Sequence, residues 1–217
     1  MNICPVEQAA CFAINPLTAY GLYESARLNK SRAIIQNAAG SQVCNYIRKM
    51  AAMSDMEVID VVRKKETLAK LKASGSKHVL LSEEEDFGGK LRDLAHLLNA
   101  TTAFDAVGGE MSGSLYNAMP ASSKVIVYGG LSGKAIGNID VLHVIFKNKS
   151  LGGFNLNDWL ATKTEEHFRQ IAEEVQDMFI RQELKTEIQA SYKFEAIKEG
   201  LKQYLGNMSG GKILLTP

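Results

Sequence analysis

At 217 residues the chain is long enough for one large buried core, or for one domain with a small appendage. Hydrophobic residues make up 46% and charged residues 23%, and the formal net charge of +1 is dispersed, which excludes the one-sided basic field of a nucleic-acid binder. No apolar run approaches the roughly eighteen residues of a membrane-spanning helix, so no membrane span is expected.

Met1 to Ala13 has no basic flank before its apolar part and does not read as a signal peptide or targeting segment. Ala33 to Gln36 reads as a first strand running into a turn, Gly40 to Cys44, and then a helix from about Asn45 to Met53. Glu57 to Val62 is a second strand, ending in Arg63-Lys64-Lys65. Leu68, Leu71 and Lys72 belong to a helix that stops at Gly75. His78 to Leu81 is the third strand, and Leu91, Leu94, Ala95 and Leu98 mark one apolar helix face. Ala103 to Val107 is the fourth strand, followed by Gly108-Gly109 and a short helix through Leu115 and Met119. Lys124 to Tyr128 is the fifth, ending in Gly129-Gly130. Short apolar strands alternating with amphipathic helices predict an α/β fold, a doubly wound parallel sheet of Rossmann type in three αβα layers.

Beyond Gly133 the texture changes. Ile136 to Phe146 is expected to be helical, Ser150 to Phe154 a sixth, glycine-bearing strand, and Thr164 to Glu183 a long helix with Phe168, Ile171, Val175 and Phe179 as its buried stripe. The tail is expected to hold a helix from Phe194 to Tyr204, a loop from Gly206 to Gly211 and a last strand from Lys212 to Leu215. The expected division is 1–30 as an interdomain segment, 31–185 as a dinucleotide-binding domain and 186–217 as a returning helix and strand.

The turn after the first strand carries the chemistry. The dinucleotide fingerprint places glycines for a tight turn, for approach of the pyrophosphate and for helix–strand packing. Here Ala39, Ser41 and Cys44 hold that spacing. Alanine and serine still admit phosphate, whereas the Cys44 side chain is expected to push the helix away from the sheet. The backbone N–H groups of Ser41, Gln42 and Val43 remain at a helix N-terminus, the usual anion site. NAD binders place an acid at the end of the second strand. Asp60 lies two residues early, and Arg63 follows the strand directly. A guanidinium there can grip a 2′-phosphate with two charge-assisted bonds, with Lys64 adding point charge. The same basic triplet also fits a solvated helix start. Cys4, Cys11 and Cys44 lack paired zinc spacing and read as reduced thiols, the histidines His78, His96, His143 and His167 are scattered, and no metal site is expected.

Asn15-Pro16-Leu17-Thr18-Ala19-Tyr20, Ile35-Gln36-Asn37-Ala38-Ala39, Val61-Val62-Arg63, Phe104 through Gly109, Tyr128 through Gly133, Leu151 through Leu156, Trp159 and Gly211 through Leu215 together resemble the medium-chain dehydrogenase/reductase superfamily. The match is to its zinc-free branch of mitochondrial 2-enoyl thioester reductases and quinone-oxidoreductase-like enzymes. The resemblance implies NADP as cofactor and reduction of an activated carbon–carbon double bond, commonly in an acyl thioester. It implies that Ser41, Gln42 and Val43 line the pyrophosphate and that Arg63 and Lys64 meet the 2′-phosphate. It places Tyr128, Gly129, Gly130 and Leu131 along the adenosine and nicotinamide side, Phe154 and Leu156 near the nicotinamide, and Lys212 near the phosphate or substrate channel. No catalytic residue is assigned, because the family's β-rich N-terminal domain, with its proton-donating tyrosine, has no counterpart before Met1. The resemblance suggests a mitochondrial setting, with the cytoplasm as the alternative, and a homodimer paired through the edge strand 149–155 is a further expectation. Gln42 and Cys44 depart from the family turn and leave open a non-catalytic, nucleotide-sensing or dimerising protein on the same fold.

Overall fold

A computed structural model describes residues 5–217, the Ser209 side chain excepted; Cys4 lies outside the described residues. Adjacent Ile34 and Ile35 in the first strand are both fully buried, yet they belong to different hydrophobic clusters. Successive strand residues point to opposite faces, so a strand buried on both sides needs a layer of helices above and below it. That strand, β1 (Ala33–Gln36), lies inside a six-stranded sheet with β2 (Glu57–Val62), β3 (His78–Leu81), β4 (Ala100–Asp105), β5 (Lys124–Val127) and β6 (Ser150–Gly153), in the order β3-β2-β1-β4-β5-β6. Every neighbouring pair is parallel. The Rossmann-type, three-layer expectation holds.

Among the described residues two helices precede β1: α1 (Val6–Ala9) and α2 (Asn15–Leu28). The second carries Pro16 in its first turn, where no N–H is missed. Its Ala19, Leu22, Tyr23 and Ala26 fall at three- and four-residue spacing and are buried with Ile34, Phe104 and Ile126. The other helices against the sheet are α3 (Gln42–Ala52), α4 (Lys65–Ala73), α5 (Phe87–Leu97) and α6 (Glu110–Ala118). Leu91, Ala95, Leu115 and Met119 cover the opposite face with Ile35, Ile59 and Val61. Each of the Leu, Ile, Val, Phe and Met side chains among these contributes about 1.5–3 kcal/mol through removal from water.

Local polar groups shift several expected boundaries. The α3 helix starts at Gln42, because the Ser41 hydroxyl caps it by accepting from the Cys44 N–H. The fourth strand ends two residues early, at Asp105, whose own carboxylate accepts from the Val107 and Gly108 N–H groups and turns the chain. Only Val141–Phe146 of the expected 136–146 helix forms, as α7: Asn138 is left-handed at φ 61 and Asp140 caps the start. A short α8 (Leu156–Ala161), capped by Asn155, was not expected. The long α9 (Glu165–Ile180) stops before left-handed Gln182. Ile171, Val175 and Phe179 are buried on it as expected, but Phe168 is 39% exposed and lies outside the stripe.

The C-terminal segment forms its own unit. An unexpected strand, β7 (Ile188–Lys193), pairs in parallel with β8 (Lys212–Thr216), and α10 (Ile197–Gly206) makes the crossover.

Candidate functional site

The chain order reverses between β1 and β4, the place where open α/β sheets bind ligands beyond their carboxyl ends. After Gln36 the chain turns through Ala38, left-handed at φ 48, and enters α3 from Ser41. Gln42 and Val43 open the helix, so their N–H groups lack intrahelical acceptors, and no acid stands in the first turn. A helix start of this kind favours an anion.

Cys44 does not push the helix away, contrary to the expectation from its side chain. Its thiol is buried, donates to the Asn37 carbonyl at 3.3 Å and meets the Tyr128 hydroxyl at 3.5 Å, filling the space between turn and helix. Burial pushes the Cys44 thiol up from its ordinary pKa, and pushes Tyr128 up as well. The Gln42 side chain also turns away from the crevice. It donates to the Lys185 carbonyl at 2.8 Å and accepts from the Glu187 N–H at 3.3 Å, pinning the C-terminal segment to the turn.

Arg63 follows β2 and is exposed, as are Lys64 and Lys65. Among the described residues none of the three has an acidic partner within 4.0 Å. Lys64 occupies the N-cap of α4 without a side-chain cap, a position that repels a cation. A cleft of about 320 Å³ lies here, lined by Gly40, Lys64, Glu66, Thr67, Lys70 and Asn207, two bases against one acid. A larger one, about 670 Å³, opens between α3, the amino end of β2 and the 182–187 segment. Its bases Arg48, Lys49 and Lys77 interleave with Asp55, Glu57 and Glu183, so it exerts no one-signed pull on phosphate. Asp60 takes no part in the surface: its carboxylate is buried and accepts from Arg48 and from Gln36. The acid that would otherwise attract ribose hydroxyls is thus occupied inside the fold.

The loop after β5 runs beside the loop after β4. Tyr128, Leu131 and Ser132 donate their N–H groups to the carbonyls of Asp105, Ala106 and Val107. Gly129 approaches the Ala106 backbone so closely that a Cβ there would sit 2.9 Å from the carbonyl oxygen, while Gly130 faces open space and Leu131 is exposed. Phe154 and Leu156 follow β6. The Phe154 ring packs over Gly21 and beside Trp159, and Leu156 is half-buried against the same core. Lys212 is not drawn to the turn by its side chain: its Nζ donates to the Tyr204 hydroxyl at 3.1 Å. Only its backbone connects there, through the carbonyl of Glu187.

The structure therefore gathers Ser41, Gln42, Val43 and Tyr128 around one helix start, with Arg63 and Lys64 beyond the neighbouring strand. Sequence reasoning missed two polar clusters beneath them. Asp105, buried at the end of β4, accepts from Asn37 and Ser112 as well as from two backbone N–H groups. Arg48 bridges Asp60 and the Ala39 carbonyl. A buried acid ending a strand just before Gly-Gly was the available signal for the first; the second had none in linear spacing.

A family model described as zinc-binding dehydrogenase matches residues 43–177. The mitochondrial enoyl-[acyl-carrier-protein] reductase of Dictyostelium discoideum is 28% identical over 217 residues, covering 97% of this chain and 61% of that protein. The human protein of the same name is 28% identical over 83% of this chain and 49% of its own length. Among solved structures, a putative NADPH:quinone reductase from Mesorhizobium loti superposes with a TM-score of 0.89 at 26% identity, over 100% of this chain and 62% of that one. The Etr1p/Etr2p heterodimer of mitochondrial 2-enoyl thioester reductase from Candida tropicalis has the same fold, with a TM-score of 0.82 at 23% identity over 98% of this chain and 62% of that one. The chain thus spans less than two thirds of these relatives. Despite the family's description, no three His, Cys, Asp or Glu side chains converge as a metal site among the described residues. By the matched segment and these likenesses, the chain belongs to the zinc-binding dehydrogenase family, in the enoyl reductase- and quinone reductase-like part of the medium-chain dehydrogenase/reductase superfamily.

Proposed function

We propose that this chain is the NADPH-binding portion of a reductase that saturates an activated carbon–carbon double bond, with a trans-2-enoyl thioester as the substrate class. The observation that carries the reading is the pair Arg63 and Lys64, exposed and without acidic partners at the end of β2, while Asp60 is consumed internally. A guanidinium so placed suits a 2′-phosphate, with two charge-assisted bonds, and has only a weaker single bond to offer a bare ribose hydroxyl. NADPH supplies the hydride. In this reading the Gln42 and Val43 N–H groups bind the pyrophosphate behind the Ser41 cap, and Tyr128, Gly129, Gly130 and Leu131 bound the dinucleotide crevice. Phe154 and Leu156 shape its nicotinamide end, and Lys212 borders the same side through the segment that Gln42 pins. The proton donor is assigned to the share of the relatives that this chain does not span, so the chain alone should show no substantial turnover. The enoyl thioester class draws on the relatives' names, and so does a mitochondrial location. A quinone acceptor draws on the Mesorhizobium likeness. Calorimetric titration of the chain and of Arg63→Ala with NADPH and NADH tests the cofactor. Tighter NADPH binding that is lost in the variant, at a cost of about 1.5–3 kcal/mol, is expected; equal affinities would refute it. Following NADPH oxidation with a short trans-2-enoyl thioester and with a simple quinone tests the division of labour, and robust turnover with either would overturn it.

The same reading includes a homodimer through β6. This strand is one of the sheet's two edges, β3 being the other, and α7, which precedes it, exposes Val141, Leu142, Val144, Ile145 and Phe146. Unpaired edge groups beside exposed apolar surface favour pairing with a second copy. Light scattering at micromolar concentration should give twice the chain mass, and Leu151→Pro should halve it. A monomeric starting protein would refute the interface.

A further inference from the structure

We propose that Arg48 is a positioning residue for the phosphate turn, aiming the Gly40 N–H at the bound pyrophosphate by holding the Ala39 carbonyl from behind. This rests on the cofactor reading above and adds to it a residue and a donor that the fingerprint glycines do not include.

Arg48 lies on α3 and is mostly shielded from solvent. Its Nε donates to Asp60 Oδ2 at 2.9 Å and its Nη2 to Asp60 Oδ1 at 3.2 Å. The same Nη2 donates to the Ala39 carbonyl at 2.8 Å. Gln36 closes the cluster, its Nε2 donating to Asp60 Oδ1 at 2.7 Å and to the Cys44 carbonyl at 3.2 Å. The end of β1, the middle of β2, the turn and the second turn of α3 are thereby joined through one buried carboxylate.

The consequence follows from peptide geometry. No peptide bond among the described residues is cis, and in a trans peptide the C=O and N–H point in opposite directions. With the Ala39 oxygen drawn inward onto Arg48, the Gly40 N–H points outward, and among the described residues it has no acceptor. It joins the Gln42 and Val43 N–H groups on the side where an anion is favoured. A turn with alanine, glutamine and cysteine at positions where glycines would let the backbone find its own path gains a fixed peptide orientation from the guanidinium. Arginine is required because one planar fork serves the carboxylate and the carbonyl together; an ammonium is a single point charge. The Arg48 charge is neutralised by Asp60, so the effect runs through the backbone and not through added attraction for phosphate.

The test uses the full chain, Arg48→Lys and Asp60→Asn, with NADPH, NADH and inorganic pyrophosphate as titrants, urea midpoints alongside, and the Gly40 amide followed by NMR. In Arg48→Lys, both dinucleotides and pyrophosphate should weaken about tenfold with the NADPH:NADH ratio unchanged, since the lost contact is common to all three. The Gly40 amide should move before any ligand is added. Asp60→Asn leaves one neutral acceptor oxygen where the carboxylate took three donors, so its urea midpoint should fall; with the Ala39 contact kept, its Gly40 amide should move less than in Arg48→Lys, and an equal movement would overturn the proposal. Unchanged affinities in Arg48→Lys, or a loss confined to NADPH, would overturn the proposal, and a lowered urea midpoint with a stationary Gly40 amide would reduce Arg48 to a stability role. Should the parent bind neither dinucleotide, the cofactor reading fails; the positioning claim then stands or falls on the Gly40 amide in Arg48→Lys.

Discussion

The six-stranded sheet and the C-terminal β7–α10–β8 unit are built from the same motif, a parallel pair with a helical crossover, and they end up physically unlike. In the sheet, Ile34 is 0% exposed and α2 and α3 seal its face; in the C-terminal unit Leu205 is 70% exposed, and no apolar side chain among the described residues from 188 onward is buried. The apolar stripe of α10, Ile197, Leu201 and Leu205, continues through Phe194 and Met208, and all five side chains stay exposed. A helix–strand pattern in sequence therefore forms the same local elements in both places, but only stacking on a second layer turns pattern into core.

The sharpest way to break the comparison is to remove a polar anchor from the sheet. Asp105→Ala leaves Asn37, Ser112 and two backbone N–H groups without their acceptor in a buried site and should cost at least about 3 kcal/mol in urea unfolding. A loss below 1 kcal/mol, on the order of a surface change, would show that the β4 turn is held some other way. Gly21→Ala should cost about 1–3 kcal/mol, because a Cβ would lie 2.6 Å from the Phe154 ring. Thermal melts that match the parent would mean that α2 slides freely on the ring. Leu205→Asp, by contrast, should stay within about 0.5 kcal/mol; a larger destabilisation would show that α10 is covered within this chain after all. The smallest effect concerns reactivity. Peptide mapping after iodoacetamide treatment at pH 8 should find Cys44 unmodified while half-buried Cys11 is labelled slowly: burial raises both thiols, but only Cys44 is closed to the reagent. Rapid native labelling of Cys44 would mean that the turn opens.

The sheet was legible where apolar runs are short and bounded: the spans of β1, β2, β3 and β6 follow from their residues, β6 to within its last residue. The misses have local causes. At α2 the three- and four-residue spacing of Ala19, Leu22, Tyr23 and Ala26 is present in the sequence, but the expectation of an interdomain segment over 1–30 carries no helix. β7 carries Gln189, Ser191 and Lys193 among its apolar residues and acquires its strand character only from β8, which is more than twenty residues away. At the candidate site, the basic run after β2 was visible because three consecutive bases outnumber the single adjoining acid, Glu66. The Arg48–Asp60–Gln36 cluster was not, because three elements must fold before its members meet.

The central claim is that one ligand meets the α3 start through its pyrophosphate and Arg63 through its 2′-phosphate. Phosphorus NMR of NADP titrated with the chain observes both groups in one spectrum. The account predicts that both sets of resonances move in the parent, and that in Arg63→Ala the pyrophosphate still moves while the 2′-phosphate returns to its free position. A 2′-phosphate resonance that stays at its free position in the parent would contradict it.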